Sequence, residues 1–249
     1  MTFKHLLFSA LFAAVLGVSA RAQTPAVPAK DQPFEFRITA WNIDLPGLFY
    51  EEGGKKRPTP VLERALTPPF LFTNASGKLI LYTQTIVEGA PVKTPFVEVT
   101  LVPPPSKNII LLWQEKSGRY GSAVLADDPQ TPPPGYLRFV NLTGQPLALQ
   151  CNGQPSFILD PSVDKVVPPS RGGVGLGVKV ARQRKKSAPD SWELALMTGI
   201  PIAANERVTA FIADPDRLAL SVGQKSLRDH LEKENLSLFF IRDTVTVAK

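Results

Sequence analysis

Histidine is almost missing from this chain: His5 lies in the apolar N-terminal segment, and His230 is the only other one in 249 residues. Ser-His-Asp and Cys-His hydrolytic devices need an imidazole held in place by a neighbouring group. His230 sits in a polar, helix-like stretch beside Asp229, and a solvated surface gives nothing to orient a base. One histidine and one cysteine far apart in sequence also deprive zinc and copper of their usual ligands. No catalytic, cofactor-binding or metal-binding residue is assigned on these grounds, and the chain reads as a non-enzyme. Cysteine is equally scarce. Cys151 stands alone, which excludes an internal disulfide and leaves burial of apolar surface to hold the fold. It ends Leu147-Ala148-Leu149-Gln150-Cys151, where the odd positions are apolar, so a buried strand thiol is expected. Long helices are excluded by 25 prolines spread along the chain, about twice the usual share of ~5 %.

No apolar run reaches the ~20 residues that span a bilayer. The one run of note, Leu6 to Val18, follows Lys4 and His5 and precedes Ala20-Arg21-Ala22, the basic, apolar and small-x-small order of an export signal. Cleavage before Gln23 is expected, with delivery to the periplasm, cell surface or medium and no transmembrane span afterwards. The remaining chain carries 26 basic and 22 acidic residues, a net of +4. That balance does not by itself imply nucleic acid.

Residues 23–33 are a Pro/Ala-rich tether. Beyond them the chain reads as two units around Asp127-Asp128-Pro129-Gln130-Thr131-Pro132-Pro133-Pro134-Gly135. Phe36-Arg37-Ile38 matches Leu137-Arg138-Phe139, Val97-Glu98-Val99 matches Trp192-Glu193-Leu194, and Leu125-Ala126-Asp127 matches Ile212-Ala213-Asp214. Domain 1 is placed at 34–128, a proline-rich linker at 129–135 and domain 2 at 136–249. Three consecutive prolines favour an extended spacer that holds the domains apart. Short alternating segments separated by Gly, Pro and Asn clusters predict strands throughout, and so an all-β chain of two tandem immunoglobulin-like sandwiches. Ser226-Leu227-Arg228-Asp229 begins a single short helix running to about Lys233, and Leu236 to Val247 alternates as a final strand that closes a sheet edge.

The opening of the second unit, Arg138-Phe139-Val140-Asn141-Leu142, resembles that of exported bacterial immunoglobulin-like β-sandwich domains, a group without characterised activities. The resemblance covers residues 136–214 and implies a fold and a compartment, with no catalytic residue. The disulfide and tryptophan partner of antibody domains are lacking, so that branch is excluded.

Several residue groups invite a binding role. Arg182, Arg184, Lys185 and Lys186 form the densest charge run, expected at a hairpin tip and suited to an anionic surface such as phospholipid, lipopolysaccharide or an acidic partner. Trp41, Tyr50 and Tyr120 are the aromatics placed for stacking on a glycan, whereas Trp113 and Trp192 lie in alternating apolar runs and are expected in the core. Asp127-Asp128 and Asp214 with Asp216 are read as turns rather than calcium ligands. Arg171 to Gly177 lacks a Walker ending and reads as a bend in a strand. The leading expectation is an envelope module that binds a protein partner, with a carbohydrate-binding module as the alternative.

Overall fold

The computed structural model describes residues 32–128, 132–152, 154–168, 175–183, 191–215, 218–219 and 236–244. The export signal and the segment expected to be helical, Ser226 to Lys233, lie outside the described residues. Those described form strands and connections with no helix, so none is long and apolar enough to cross a membrane.

Eight strands come from the first half: β1 (Phe34–Ala40), β2 (Phe49–Glu52), β3 (Lys55–Pro58), β4 (Phe70–Phe72), β5 (Lys78–Val87), β6 (Ala90–Thr100), β7 (Asn108–Gln114) and β8 (Tyr120–Ala126). Eight more follow: β9 (Leu137–Asn141), β10 (Leu147–Cys151), β11 (Phe157–Leu159), β12 (Asp164–Val167), β13 (Gly175–Gln183), β14 (Trp192–Pro201), β15 (Glu206–Ala213) and β16 (Ser237–Thr244). They make four four-stranded sheets. In the first half the orders are β3-β2-β5-β6 and β4-β1-β7-β8; in the second, β11-β10-β13-β14 and β12-β9-β15-β16. Adding eight to each label of the first pair gives the second. Pairing is antiparallel except where β1 lies parallel to β7 and β9 parallel to β15.

Alternation explains most of these strands. Phe34, Phe36, Ile38 and Ala40 of β1 point into one core with Leu79 and Leu81 of β5 and Val99 of β6. Leu147, Leu149 and Cys151 of β10 do the same in the second half, beside Leu176, Val178 and Val180 of the neighbouring β13. The strands β2 and β3 form a hairpin because Gly53 and Gly54 both take positive φ, at 55° and 73°. That is the requirement of a two-residue hairpin turn.

The continuous apolar runs have a different cause. In β7, Ile110 and Leu112 enter the first core while Ile109 and Leu111 face the opposite way. In β15, Val208, Ala210 and Ile212 enter the second core while Phe211 and Ala213 face away. Those outward residues meet in a third core with Trp41, Val140, Phe239 and Ile241, where the rings of Trp41 and Phe239 stack 5.4 Å apart. The two inner sheets therefore pack on each other, and the chain is a stack of four sheets. This corrects the expectation of a spacer holding two domains apart. An extended linker of a few residues does not outweigh a shared apolar core.

The rim of this third core is ionic. Arg37 of β1 donates to Asp127, which follows β8, and at 3.2 Å to Asp243 of β16. Arg207 of β15 binds Asp243 and stands 3.6 Å from Asp127. Arg138 of β9 donates to the carbonyl of Ala126 at 2.7 Å and to Asp164 at 2.8 Å. Asp127, expected as a turn residue, is instead the buried anion that two halves of the chain share. Asn42 adds a further tie: its Nδ2 donates to Gln114 O at 2.9 Å and to Ala219 O, so the segment after β15 is bound to the first half.

Two of the three sequence matches fall on counterpart strands, and one of those two is shifted along its strand. Phe36-Arg37-Ile38 and Leu137-Arg138-Phe139 occupy β1 and β9. By contrast, Leu125-Ala126-Asp127 ends β8 but Ile212-Ala213-Asp214 ends β15, the counterpart of β7. Bulges in β6 and β14 set Val97 opposite Leu81 and Leu196 opposite Val180, so Val97 corresponds to Leu196 rather than Trp192.

Two outcomes follow from this packing. Burial pushes the Asp243 carboxyl up, but hydrogen bonds from Arg207 and Arg37 and their charges outweigh it and hold it below the ordinary 3.8. Its stabilising contribution is complete above that value and is lost as pH falls through the depressed folded-state value. Asp243→Asn is therefore expected to be less stable than wild type at pH 7, with the gap closing as pH falls through the depressed folded-state value; urea denaturation at stepped pH measures it. The second concerns Gly121, directly across from Trp113, where an added Cβ would lie 2.2 Å from the indole. Gly121→Ala is expected to cost about 1–3 kcal/mol by overpacking, read in the same denaturation curves.

Candidate functional site

Every open sheet has two edges, and an edge strand offers unpaired N–H and C=O groups to any other chain unless something guards it. Eight strands of this stack are edges. β4 and β11 are only three residues long. β3 is Lys55-Lys56-Arg57-Pro58, β12 carries Asp164 and Lys165, and β16 carries Arg242 and Asp243. β6 is interrupted by Pro91 and Pro95, with Lys93 between them. β8 exposes only Tyr120, whose ring lies 4.2 Å from that of Phe96 in β6. Among the described residues that leaves β14 as the longest edge with little charge, ten residues with Glu193 as its single charge and its one proline at the last position. The bulge at Ala195 twists the strand in its middle, one of the devices that limit pairing at an edge.

One row of the face beside this edge is apolar, between rows that carry Lys179 and Gln183. Register places Ile158, Ala148, Ala181 and Leu194 in one row across all four strands of the sheet β11-β10-β13-β14. Leu194 is 56 % exposed and Ile158 51 %, with two alanines between them. Met197 is 68 % exposed and Trp192 37 %. The bulge is what turns Trp192 outward, because Ala195 and Leu196 are both buried and the alternation restarts on either side. This overturns the expectation that Trp192 belongs to the core. Trp113 is half-buried, over Gly121.

Next to Met197 the same face opens into a hollow of about 520 Å³, lined by Gln150, Asn152, Gly177, Lys179, Met197 and Gly199 among others. Gly177 and Gly199 are register partners in β13 and β14. Neither has a positive φ, and a Cβ on Gly199 would meet nothing within 4 Å. On Gly177 it would meet only the Asn152 side chain, at 3.3 Å. Glycine weakens a strand interior; Gly177 is fitted to the Asn152 side chain, to whose Oδ1 its N–H donates at 2.6 Å, whereas a side chain at Gly199 would meet no neighbour among the described residues.

The outer sheet of the first half is finished differently. Phe49 and Tyr82 stack there at 5.7 Å, with Lys56 Nζ 4.2 Å from the Phe49 ring centre and Lys93 Nζ 4.6 Å from that of Tyr82. Those ammonium groups and their alkyl stems close the aromatic surface. The second outer sheet has no such cover over Trp192, Leu194 or Met197 among the described residues.

The residues singled out from the sequence are scattered. Arg182 lies in β13, while Arg184, Lys185 and Lys186 lie outside the described residues. Trp41 and Tyr50 are each only 3 % exposed. Trp41 is in the third core, and Tyr50 packs on Phe36 and donates its hydroxyl to Leu71 O at 2.7 Å. Buried rings have no face to offer a sugar, and Tyr120 alone of the three reaches the surface. Asn141 and Asn74, both in Asn-x-Ser/Thr triplets, are structural: each Oδ1 accepts from the backbone N–H and hydroxyl two residues on, at 2.9 and 2.7 Å in one and 2.8 and 2.7 Å in the other. The exposed β14 face was signalled only by Leu194 and Met197, which a regular alternation does not separate from core.

A second ionic hollow of about 320 Å³, on the rim between the inner sheets, is lined by Arg37, Lys107 and Arg207 but also by Glu35, Asp127 and Asp243. Cations and carboxylates there neutralise one another, which suits a clamp rather than an anion site. Cys151 is buried beneath the other face of β10, and burial pushes its thiol up to about 11. Because the thiolate is the reactive form, native protein at pH 8 is expected to resist iodoacetamide and to react only once unfolded, as followed by intact mass. Compared with protein-family models and with curated proteins, the chain matches none.

Proposed function

We propose that this protein is an exported, non-enzymatic interaction module of the cell envelope, built as two tandem immunoglobulin-like sandwiches. The observation that carries the reading is the β14 edge, which no strand among the described residues pairs, with Trp192, Leu194 and Met197 exposed beside it. An extended segment laid along β14 would gain main-chain hydrogen bonds from the edge and bury alternate side chains on the apolar row, the recognition mode of strand addition. Aromatic and methionine side chains are enriched at protein interfaces. The rigid four-sheet stack supports this role, because a binding edge on a preformed sheet costs little to order. Export is supported by the basic, apolar and small-x-small order of residues 1–22.

Crosslinking in the living source cells, affinity recovery and mass spectrometry test this reading, with wild type and Leu194→Lys side by side. One protein recovered in near-equal amount with wild type and lost with Leu194→Lys is the expected result. Recovery of the chain with no protein, or of the same protein regardless of Leu194, would remove the β14 reading.

A further inference from the structure

We propose that the tip of the β5–β6 hairpin is a second contact point, an arm that enters an apolar cleft of a partner protein with a lysine or arginine at its floor to meet Glu88. This contact belongs to the first outer sheet, on the opposite side of the stack from β14, and does not depend on the reading of that edge.

Register makes the arm. β5 meets β2 only at Tyr82, and past that residue β5 and β6 run on alone, paired from Thr83 with Thr94 to Val87 with Ala90. All twelve residues from Gln84 to Pro95 are exposed. A two-stranded ribbon has no core in which to bury apolar side chains. Yet Ile86, Val87 and Val92 stand here, 67 %, 50 % and 42 % exposed. Directly opposed residues share a face, so register puts Ile86 with Pro91 on one face and Val87 with Ala90 and Val92 on the other. Both faces of the tip are apolar, which fits a cleft with two walls rather than a flat surface.

The second half of the chain supplies the control. Gln183 pairs with Trp192 as Gln84 pairs with Lys93, each pair three positions past the bulge of its hairpin, and eight residues of sequence close each return. In the second half those residues are Arg184-Lys185-Lys186-Ser187-Ala188-Pro189-Asp190-Ser191. The strand plan therefore does not call for apolar side chains in this return, and charge is the ordinary way to keep such a tip soluble. Apolar groups clustered on a surface that the fold does not require of them mark an interaction site.

Charge then selects the partner. The turn is Glu88-Gly89, with φ of 53° and 81°, a two-residue turn in which asparagine or aspartate ordinarily precedes the glycine. Glu88 is the single charge from Thr85 to Val92 and stands at the extreme of the arm. No cation among the described residues pairs with it; Lys93, the lysine next in sequence, is held by Glu51 at 2.7 Å. A bilayer entered by this tip would take the carboxylate deepest, into hydrocarbon, where an unpaired charge is costly. A protein cleft meets it with a cation, and apolar walls strengthen that pair by excluding water.

Photocrosslinking in the living source cells tests this, with p-benzoylphenylalanine in place of Thr85 and the joined peptide mapped by mass spectrometry. The expected result is one protein, joined at an apolar cleft that contains a lysine or arginine. With that protein purified, Val87→Asp should raise the dissociation constant about 30-fold, the loss of one interface anchor, and Glu88→Lys about 10-fold. Unfolding curves of both variants should match wild type, because neither side chain is buried. Leu194→Lys should leave the crosslink intact, so that failure of the β14 test removes the β14 reading alone. No crosslink, a crosslink to a second copy of this chain, or one that survives Val87→Asp or is lost with Leu194→Lys overturns the proposal. Flotation of the protein with vesicles of phosphatidylethanolamine and phosphatidylglycerol, abolished by Val87→Asp, overturns it in favour of a membrane.

Discussion

Burial of β7 and β15 on both faces is the constraint from which the rest of this structure follows. A strand that enters two cores at once must be apolar at every position, and Ile109 to Leu112 and Val208 to Ala213 are nearly so. It must also be flanked by sheets on both sides, which forces the two halves of the chain together. Charges trapped at the rim of such a contact have to be paired, because an isolated buried ion costs far more than a paired one. Arg37, Arg207, Asp127 and Asp243 meet that demand by sharing partners. Their worth lies less in net stability than in register, since an apolar contact alone would tolerate sliding.

The consequence for function is one of available surface. In a four-sheet stack the inner sheets have no free face, so anything that binds a broad partner must do so on an outer sheet or at an edge. The first outer sheet spends its aromatics on its own lysines. What remains is the second outer sheet, where the same strand order is finished with the row from Ile158 to Leu194 and a pair of glycines beside Lys179. The difference lies in side chains rather than in topology, which is where function is expected to sit on a widely used architecture.

Much of this was legible in the sequence. Period-two alternation marks strands such as β1 and β10, because the outer sheets and the edges of the inner ones bury one face only. The unbroken runs in β7 and β15 were visible too, and they are the mark of strands covered on both sides. Length and proline count gave no reason to doubt a spacer, so the runs were read as ordinary strands. Asp127 shows the limit most clearly. Nothing within ten residues distinguishes it from a turn aspartate; its role is made by Arg207, eighty positions away in sequence.

The candidate surface failed to show itself for a related reason. Trp192-Glu193-Leu194-Ala195-Leu196-Met197 reads as a core strand by any fixed period, and only the extra residue at Ala195 sends the two ends outward. A bulge is a property of two strands, because it is defined by what β13 places opposite. The same holds for Gly177 and Gly199: twenty-two positions apart in sequence, each is an unremarked strand glycine, and they become a hollow only when register sets them face to face. Where a surface is built from pairings of this kind, its chemistry is written across strands, and the meaning of each residue depends on the neighbour that folding gives it.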